Sequence, residues 1–288
     1  MTIASMTGFA RLEASGNYGA LVCEIRSVNH RFLDVSLRLP DNCRAVESEL
    51  RLELSRQLRR GKVDCNVQYR APAGGAGLQV NEAVLTQLLQ AARLLLTSVP
   101  EQARLNVLDA LRWPGVLGED PAAGEALPQA VRTLFAATLA DLVAARQREG
   151  ERLGELIEQR CSALLAMVSE VKTRLPEIYQ RVRSRLEERL QELGAELNRE
   201  RVEQEIVLLL QRLDVAEELD RLTGHVTETR RTLTAPEPAG RRLDFLLQEF
   251  NREANTLSSK SQDLETTRVA VEMKVLIEQM REQVQNIE

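Results

Sequence analysis

Hydrophobic and polar residues alternate in three segments of the first 70 positions, a pattern typical of strands with one buried face. The alternating apolar positions are Leu21, Cys23 and Ile25, then Val35, Leu37 and Leu39, and finally Val63, Cys65, Val67 and Tyr69. Between the second and third segments, apolar residues recur every four positions, which predicts a helix over 45–60. Gly61 is expected to end this helix and to open the third strand.

From Asn81 onward the apolar spacing is helical, and Asn81 itself is the expected N-cap of the first helix. A turn at 113–115 and a loop at 118–128 separate it from a second helical region over 131–175, where Pro176 is expected to kink the helix or to start a new one. Residues 181–230 are charged, Leu-rich and periodic, with Gly194 as an interruption, which is typical of helical hairpins or coiled-coil-like arms. Two final helices are predicted over 242–257 and 266–285.

These patterns predict an α+β fold, in which an N-terminal mixed sheet-and-helix domain precedes a long, mainly helical C-terminal region with coiled-coil-like arms. The predicted division is 1–150 for the N-terminal domain and 151–233 for the helical arm or hairpin. The Pro-containing stretch 234–240 is the linker. Residues 241–288 are predicted to be a C-terminal helical segment, which is expected to complete a functional site together with the helical arm.

Composition excludes several classes of protein. The 288 residues are 43% hydrophobic and 28% charged, and the net charge of −5 does not suit a strongly basic coat protein for nucleic acids. No apolar run approaches the roughly 20 residues that span a bilayer, and the first residues lack a signal-peptide pattern, so we expect no membrane partner. The four scattered cysteines favour a cytoplasmic protein with reduced thiols. The absence of a P-loop or a GxGxxG motif argues against a nucleotide cofactor.

Arginine provides nearly all of the positive charge, since only Lys62, Lys172, Lys260 and Lys274 among the 38 basic residues are lysines. Guanidinium groups bind phosphates in bidentate fashion, so this bias is compatible with RNA binding. A GC-rich genome that encodes basic residues as arginine gives the same bias.

One face of the predicted helix after position 214 carries several ligand-type side chains. At about 100° per residue, a single face collects Asp214, Glu217, Glu218, Arg221 and His225. Carboxylates and an imidazole are suitable ligands for magnesium, manganese or zinc, and they also suit general acid–base catalysis. The alternative is a solvated face with ion pairs from Asp214 or Glu218 to Arg221.

The helix after the linker strengthens the metal hypothesis. Its predicted core stripe is Leu243, Leu247, Phe250, Ala254 and Leu257. Two asparagines, Asn251 and Asn255, lie beside the stripe and are expected to be partly buried. Glu249 and Glu253 lie one turn apart behind them, and a divalent ion needs oxygen ligands from more than one turn. We therefore expect this helix and the Asp214–His225 face to meet across one cleft.

A polar strand near the N-terminus supplies candidate RNA contacts. Arg26, Asn29, His30 and Arg31 are donors among β-forming residues, and Phe32 is a candidate stacking ring. Arg60 and Lys62 add a basic corner at a helix C-terminus. The alternatives are a bend with exposed polar side chains and simple compensation of the helix dipole.

Seven runs spread over the whole chain resemble the YicC-like endoribonucleases. They are SMTGFAR at 5–11, EIRSVNHRF at 24–32, RGKVD at 60–64, LRWPG at 111–115, DVAEELDRL at 214–222 with His225, GRRLDF…NREAN at 240–255 and VLIEQMR at 275–281. The resemblance implies a bacterial cytoplasmic, metal-dependent endoribonuclease that is linked to stress responses and small-RNA turnover. It also implies a homo-oligomer, a hexamer, that encloses RNA.

The chemistry of the residues then assigns roles. The expected catalytic residues are His225, Glu249 and Glu253. The expected ligands of a Mn²⁺ or Mg²⁺ ion are Asp214, Glu217, Glu218, His225 and Glu249. The expected RNA contacts are Arg26, Asn29, Arg31, Arg60, Lys62 and Arg252. Two alternatives stay open: a non-catalytic oligomeric RNA-binding adaptor for another nuclease, and a metal-free reaction in which His225 and a carboxylate drive attack by the RNA 2′-hydroxyl.

Overall fold

The computed structural model describes residues 3–71, 79–96, 106–118, 121–192, 199–261 and 263–288. The chain divides into two compact units, of which one comprises Gly8–Val143 and the other comprises Met1–Thr7 together with Ala144–Glu288. The segment before the sheet thus belongs with the C-terminal part of the chain. The finer division into 1–150, 151–233, 234–240 and 241–288 stays a prediction.

A four-stranded mixed sheet forms the first unit. Its strands are β1 (Gly8–Gly16), β2 (Gly19–Val28), β3 (Leu33–Arg38) and β4 (Gly61–Arg70), in the spatial order β1-β2-β4-β3. β2 pairs antiparallel with β1 and with β4, whereas β3 pairs parallel with β4. A parallel pair needs a crossover connection, which a 3-10 turn (Asp41–Val46) and helix α1 (Glu47–Gln57) supply.

Only one face of this sheet is buried. Leu21, Cys23 and Ile25 of β2 are fully buried, as the alternation predicts. They share a core with α1 and with the first turns of α4 (Pro121–Glu192), to which Leu50, Leu54, Val131 and Phe135 belong. On the opposite face, Phe9, Arg26 and Asp64 lie side by side across β1, β2 and β4 and are exposed. The sheet therefore presents an open polar surface.

The rest of this unit consists of short elements. They are β5 (Gln79–Val80), α2 (Glu82–Leu96), α3 (Val107–Arg112) and β6 (Leu117–Gly118), with β5 and β6 paired antiparallel. The side chain of Asn81 accepts a hydrogen bond from the backbone N–H of Val84 at 3.3 Å, which confirms its predicted capping role. Gly115 has a φ of 85° at the predicted turn.

The loop predicted at 118–128 is wrong over 121–128, because α4 already begins at Pro121. Proline is tolerated there because the first turn of a helix has no intrahelical partner for its N–H. Pro176 does not end the helix either, since α4 continues to Glu192. Buried apolar residues such as Val131 and Val171 lie along α4, and tertiary packing of such a stripe outweighs local propensity. Gly194 lies outside the described residues.

Helices form the second unit. Residues 144–192 of α4 are joined there by α5 (Arg199–Leu213), α6 (Ala216–Thr234), α7 (Gly240–Lys260) and α8 (Leu264–Val284). Their core includes Leu164 of α4, Leu222 and Val226 of α6, Phe250 and Ala254 of α7, and Met273 and Ile277 of α8. The α+β architecture with a mainly helical C-terminal region is thus confirmed. In the described part of the chain, no helix is both long and apolar enough to cross a bilayer.

A short segment at the start of the chain is bound to α4 within this second unit. Ser5 donates its N–H to the carbonyl of Arg146 at 2.9 Å, and the Arg146 side chain donates back to the carbonyl of Ser5. Arg146 is almost fully buried, and its guanidinium pairs with Glu288 at 2.7 Å. Burial lowers the pKa of Arg146, and the charge of Glu288 opposes that shift. The segment passes so close to Gly150 that a Cβ there would lie 2.0 Å from the carbonyl oxygen of Ile3.

We expect Gly150→Ala to lower the free energy of unfolding by about 1–3 kcal/mol, because the new methyl group displaces backbone rather than a flexible side chain. Gly154→Ala is the matched control, since its Cβ would meet only the Ile3 side chain at an ordinary 3.6 Å. Helix propensity alone predicts that the control raises stability, by up to about 1 kcal/mol. Urea unfolding followed by circular dichroism measures both changes, and equal shifts for the two variants would contradict the close approach.

Candidate metal and catalytic site

Helices α6 and α7 pack against each other and bring three ligand-type side chains together. His225 projects from α6, while Glu249 and Glu253 lie one turn apart on α7. One ligand atom of each, an imidazole nitrogen or a carboxylate oxygen, lies within 4.8 Å of the others. The apolar stripes of the two helices cause this arrangement, because burying Leu222, Val226 and Phe250 turns the adjacent faces toward each other.

The two carboxylates differ in their surroundings. Glu253 is only 3% exposed, and one of its oxygens accepts a hydrogen bond from Arg221 of α6 at 3.2 Å. Arg221 also binds Glu217 one turn earlier, and together the two glutamates raise its pKa, the hydrogen bond to Glu253 being the largest cause. The side chain of Glu249 is 28% exposed and has Arg252 at 3.9 Å. The site therefore has one fixed buried carboxylate and one that faces solvent.

The His225 ring has one nitrogen without a partner. The ring packs edge-on against Phe250, with centroids 5.5 Å apart and an interplanar angle of 64°. Its Nε2 is buried and forms no hydrogen bond with any residue that the structure describes. An unpaired buried polar atom costs free energy, so its presence beside two carboxylates needs an explanation. An imidazole nitrogen and two carboxylates form a donor set that fits a divalent ion such as Mn²⁺, and the two carboxylates are also the ligand type that Mg²⁺ prefers.

The other predicted metal ligands do not belong to this group. Asp214 lies before α6, and its carboxylate accepts the backbone N–H of Ala216 at 2.9 Å. The placement of Asp214 on the α6 face is therefore wrong, because the helical-wheel argument assumed a helix that was continuous through position 214. Glu217 is exposed and binds Arg221. The roles of these residues as metal ligands stay predictions.

Glu218 illustrates a contact that periodicity did not reveal. It is buried, and Lys260 at the end of α7 donates to its carboxylate at 2.8 Å and to the carbonyl of Asp214 at 3.0 Å. The second oxygen of Glu218 is buried and has no hydrogen-bond partner among the described residues. The signal that could have found Lys260 is physical. A buried carboxylate needs a compensating cation, and Arg221 on the same helix binds Glu217 and Glu253, so the cation for Glu218 must come from a neighbouring helix.

The asparagines beside the α7 stripe have a modest structural role. Asn251 is partly buried, as predicted, whereas Asn255 is exposed, so that part of the prediction is wrong. The side chain of Asn255 donates to that of Asn251 at 3.4 Å. Their outward position follows from the helical spacing, which places them at the edge of the core stripe rather than behind it.

The predicted RNA-binding residues of the first unit lie on and next to the open face of the sheet. Arg26 and Lys62 are exposed on β2 and β4, and Asn29 is exposed just after β2. The Arg31 guanidinium lies 5.2 Å from the centroid of the exposed Phe32 ring. Arg60 donates to the carbonyl of Arg31 at 3.1 Å, which ties the basic corner to this turn. The sixth residue, Arg252, is exposed on α7 in the second unit.

Comparison with known proteins gives the family. A model described as "Endoribonuclease YicC-like, N-terminal region" matches residues 3–155, and one described as "Endoribonuclease YicC-like, C-terminal" matches residues 171–288. The chain belongs to the YicC-like endoribonuclease family. Within it, the "Probable endoribonuclease YicC" of Haemophilus influenzae is 44% identical over 287 residues, which cover 99% of this chain and 100% of the relative. The protein of the same name from Clostridioides difficile is 28% identical over 294 residues, covering 99% of each.

Both YicC-like models cover candidate residues of this chain. His225, Glu249 and Glu253 fall in the C-terminal match, whereas Arg26, Asn29, Arg31, Arg60 and Lys62 fall in the N-terminal match.

We expect Mn²⁺ to stabilise this YicC-like chain, because a ligand that binds only the folded state raises its stability by mass action. At a concentration about a hundredfold above Kd, the apparent Tm should rise by about 5–10 °C. In the double variant Glu249→Gln with Glu253→Gln, Mn²⁺ should no longer raise the Tm. Differential scanning calorimetry with and without the ion measures it. Asp244→Asn, an exposed change on the same helix, is the control. If Mn²⁺ raised the Tm of the wild type and of the double variant equally, His225, Glu249 and Glu253 would not be the binding site.

Proposed function

We propose that this chain is an endoribonuclease that hydrolyses phosphodiester bonds in RNA with the help of a divalent metal ion, Mn²⁺ or Mg²⁺, held by His225, Glu249 and Glu253. The observation that carries the proposal is the buried, unpartnered Nε2 of His225 beside two carboxylates. Membership of the YicC-like family supports RNA as the substrate. When bound, such an ion polarises the phosphate and lowers the pKa of a water molecule.

The side chains of the site have distinct tasks in this proposal. Glu253 is held by Arg221, so it supplies a carboxylate in a fixed position. Glu249 is the more accessible of the two, and its side of the site is where an RNA phosphate enters. His225 has a free ring nitrogen for a proton or for an ion, and the edge contact with Phe250 orients its ring. The positive charge of the ion also offsets the repulsion between this acidic site and RNA.

Binding of RNA is assigned in part to a different surface. We assign it to Arg26, Asn29, Arg31, Arg60 and Lys62 around the open sheet face, and to Arg252 beside the acidic site. We further propose that the protein acts in the cytoplasm as a homo-oligomer, a hexamer, in small-RNA and mRNA turnover under stress. An oligomer repeats each basic surface around one RNA and gives avidity without a high net charge.

We expect His225→Ala and Glu249→Ala each to slow cleavage of RNA by about 10²–10⁴-fold, the usual contribution of one general acid or base. Chelation by EDTA should abolish cleavage, and Mn²⁺ or Mg²⁺ should restore it. Asp244→Ala is the matched control on α7. The assay uses labelled RNA with purified protein and determines the chemistry of the product ends.

The product ends separate this mechanism from the metal-free alternative. Attack by activated water leaves no cyclic phosphate, whereas attack by the 2′-hydroxyl leaves a 2′,3′-cyclic phosphate and survives EDTA. Wild-type protein that binds RNA but does not cleave it with either ion present would favour the adaptor role. Full activity in both His225→Ala and Glu249→Ala would make the acidic cluster structural.

RNA affinity and cleavage should respond to different residues. Arg26→Ala and Arg31→Ala should each weaken RNA binding and lower the slope of log K against log salt by about 0.7, the value for one lost contact to single-stranded RNA. The rate at saturating RNA should stay near that of the wild type. Arg44→Ala is the control, because Arg44 is an exposed arginine already paired with Asp41. Fluorescence anisotropy across a salt series measures the slopes, and identical slopes for Arg26→Ala and Arg44→Ala would exclude Arg26 as a phosphate contact.

A further inference from the structure

A groove of about 500 Å³ lies along the last turns of α4, away from the acidic cluster described above. Its wall on α4 combines three arginines, Arg181, Arg185 and Arg189, with three apolar residues, Ile178, Val182 and Leu186. Leu209 and Leu213 of α5 line it from the other side, and Asp263 and Leu264 at the start of α8 line the end near Arg181. The volume is in the range of pockets that hold small molecules, and a nucleotide is of that size.

The three arginines form a regular row. They are spaced four residues apart, so successive guanidinium groups start about 6 Å apart along the helix axis and stay on one face. The three apolar residues have the same spacing and lie on the neighbouring face. The groove thus has a charged edge that runs parallel to an apolar floor.

Two of these arginines lack a partner among the described residues. Arg181 lies 3.5 Å from Asp263, whose carboxylate also caps α8 by accepting the N–H of Thr266. Arg185 and Arg189 form no ion pair or hydrogen bond with any residue that the structure describes. Arg183, on the same helix but outside the groove, binds Glu187 at 3.0 Å. Arg185 and Arg189 are therefore available to a ligand that enters the groove.

We propose that this groove binds a segment of single-stranded RNA, with its phosphates on Arg185 and Arg189 and its unstacked bases on the apolar floor. Regularly spaced guanidiniums suit a ligand with regularly spaced negative charges, and a polynucleotide backbone is such a ligand. The apolar floor requires exposed base faces, which a single strand offers and a duplex does not. This inference rests on the proposed function, because it takes RNA as the substrate of the protein.

The test compares two double variants of the full chain with equal loss of charge. Arg185→Gln with Arg189→Gln removes the row, and Arg183→Gln with Arg268→Gln removes two exposed arginines that already have acidic partners. Anisotropy of fluorescein-labelled polyuridylate, measured in EDTA across a salt series, gives Kd and its salt dependence. A labelled RNA hairpin serves as the duplex probe, and light scattering gives the mass of each protein.

For the groove variant we expect a Kd for polyuridylate about tenfold higher and a salt slope shallower by about 1.4, or 0.7 for each lost phosphate contact. The control variant should bind as the wild type does, and the hairpin should lose less affinity than polyuridylate. Equal Kd and slope in the two double variants would overturn the inference, as would a change in oligomeric mass at unchanged affinity, since the groove would then bind another copy of the chain.

Cleavage assays keep the two proposals apart. If the groove variant binds RNA weakly while the wild-type protein cleaves no RNA, the assignment of the groove to RNA binding is supported and the nuclease proposal fails. If wild-type protein cleaves RNA and the groove variant binds it normally, the nuclease proposal stands and the groove assignment fails.

Discussion

A carboxylate buried on α7 dictates the arrangement of the site in the helical unit. Glu253 is 3% exposed, and a charge in that position is costly unless a hydrogen-bonding cation compensates it. Arg221 provides this compensation from α6, so the ion pair also fixes which turns of the two helices face each other. His225 lies one turn further along α6, and the same alignment brings it to Glu249 and Glu253. The packing of α6 on α7 and the chemistry of the cluster therefore depend on the same contact.

Many arginines in this part of the molecule already have acidic partners, which changes the meaning of the arginine bias. Arg230 binds Glu158 through both carboxylate oxygens, and Arg242 binds Glu228. Such arginines stabilise the packing of the helices, and their positive charge is already neutralised by a carboxylate, so they contribute little to binding a nucleic acid. The count of arginines in the sequence is therefore a poor guide to RNA binding. The informative residues are those whose guanidinium groups have no acidic partner in the described part of the chain, such as Arg185 and Arg189.

Periodicity predicted the parts of the fold that depend on burial. The alternation in β2 and β4 and the stripe on α7 both reappear as buried faces, because an apolar face must be covered wherever it occurs. The same reasoning failed at Asp214, where a break between α5 and α6 removes the residue from the face on which the spacing placed it. Its side chain accepts the N–H of Ala216, a local hydrogen bond that competes with helix and that spacing does not represent.

Contacts between side chains on different helices also could not be predicted from the sequence. The pairing of Arg221 with Glu253 joins residues 32 positions apart, and that of Lys260 with Glu218 joins residues 42 apart. Spacing along one helix predicts pairs three or four residues apart, such as Arg221 with Glu217, and gives no information about a partner on α7. The cluster of His225, Glu249 and Glu253 was within reach of sequence reasoning only because each residue lies beside a buried stripe.

A site built from two helices makes ion binding and helix packing one equilibrium. His225 comes from α6 and both glutamates come from α7, so separating the helices destroys the ligand set. An ion that binds the cluster must therefore oppose the separation of α6 from α7, and any change that loosens their contact must weaken ion binding by the same free energy. Without an ion, the two carboxylates repel each other and Nε2 of His225 stays unpaired. An ion bound by all three residues relieves both costs at once.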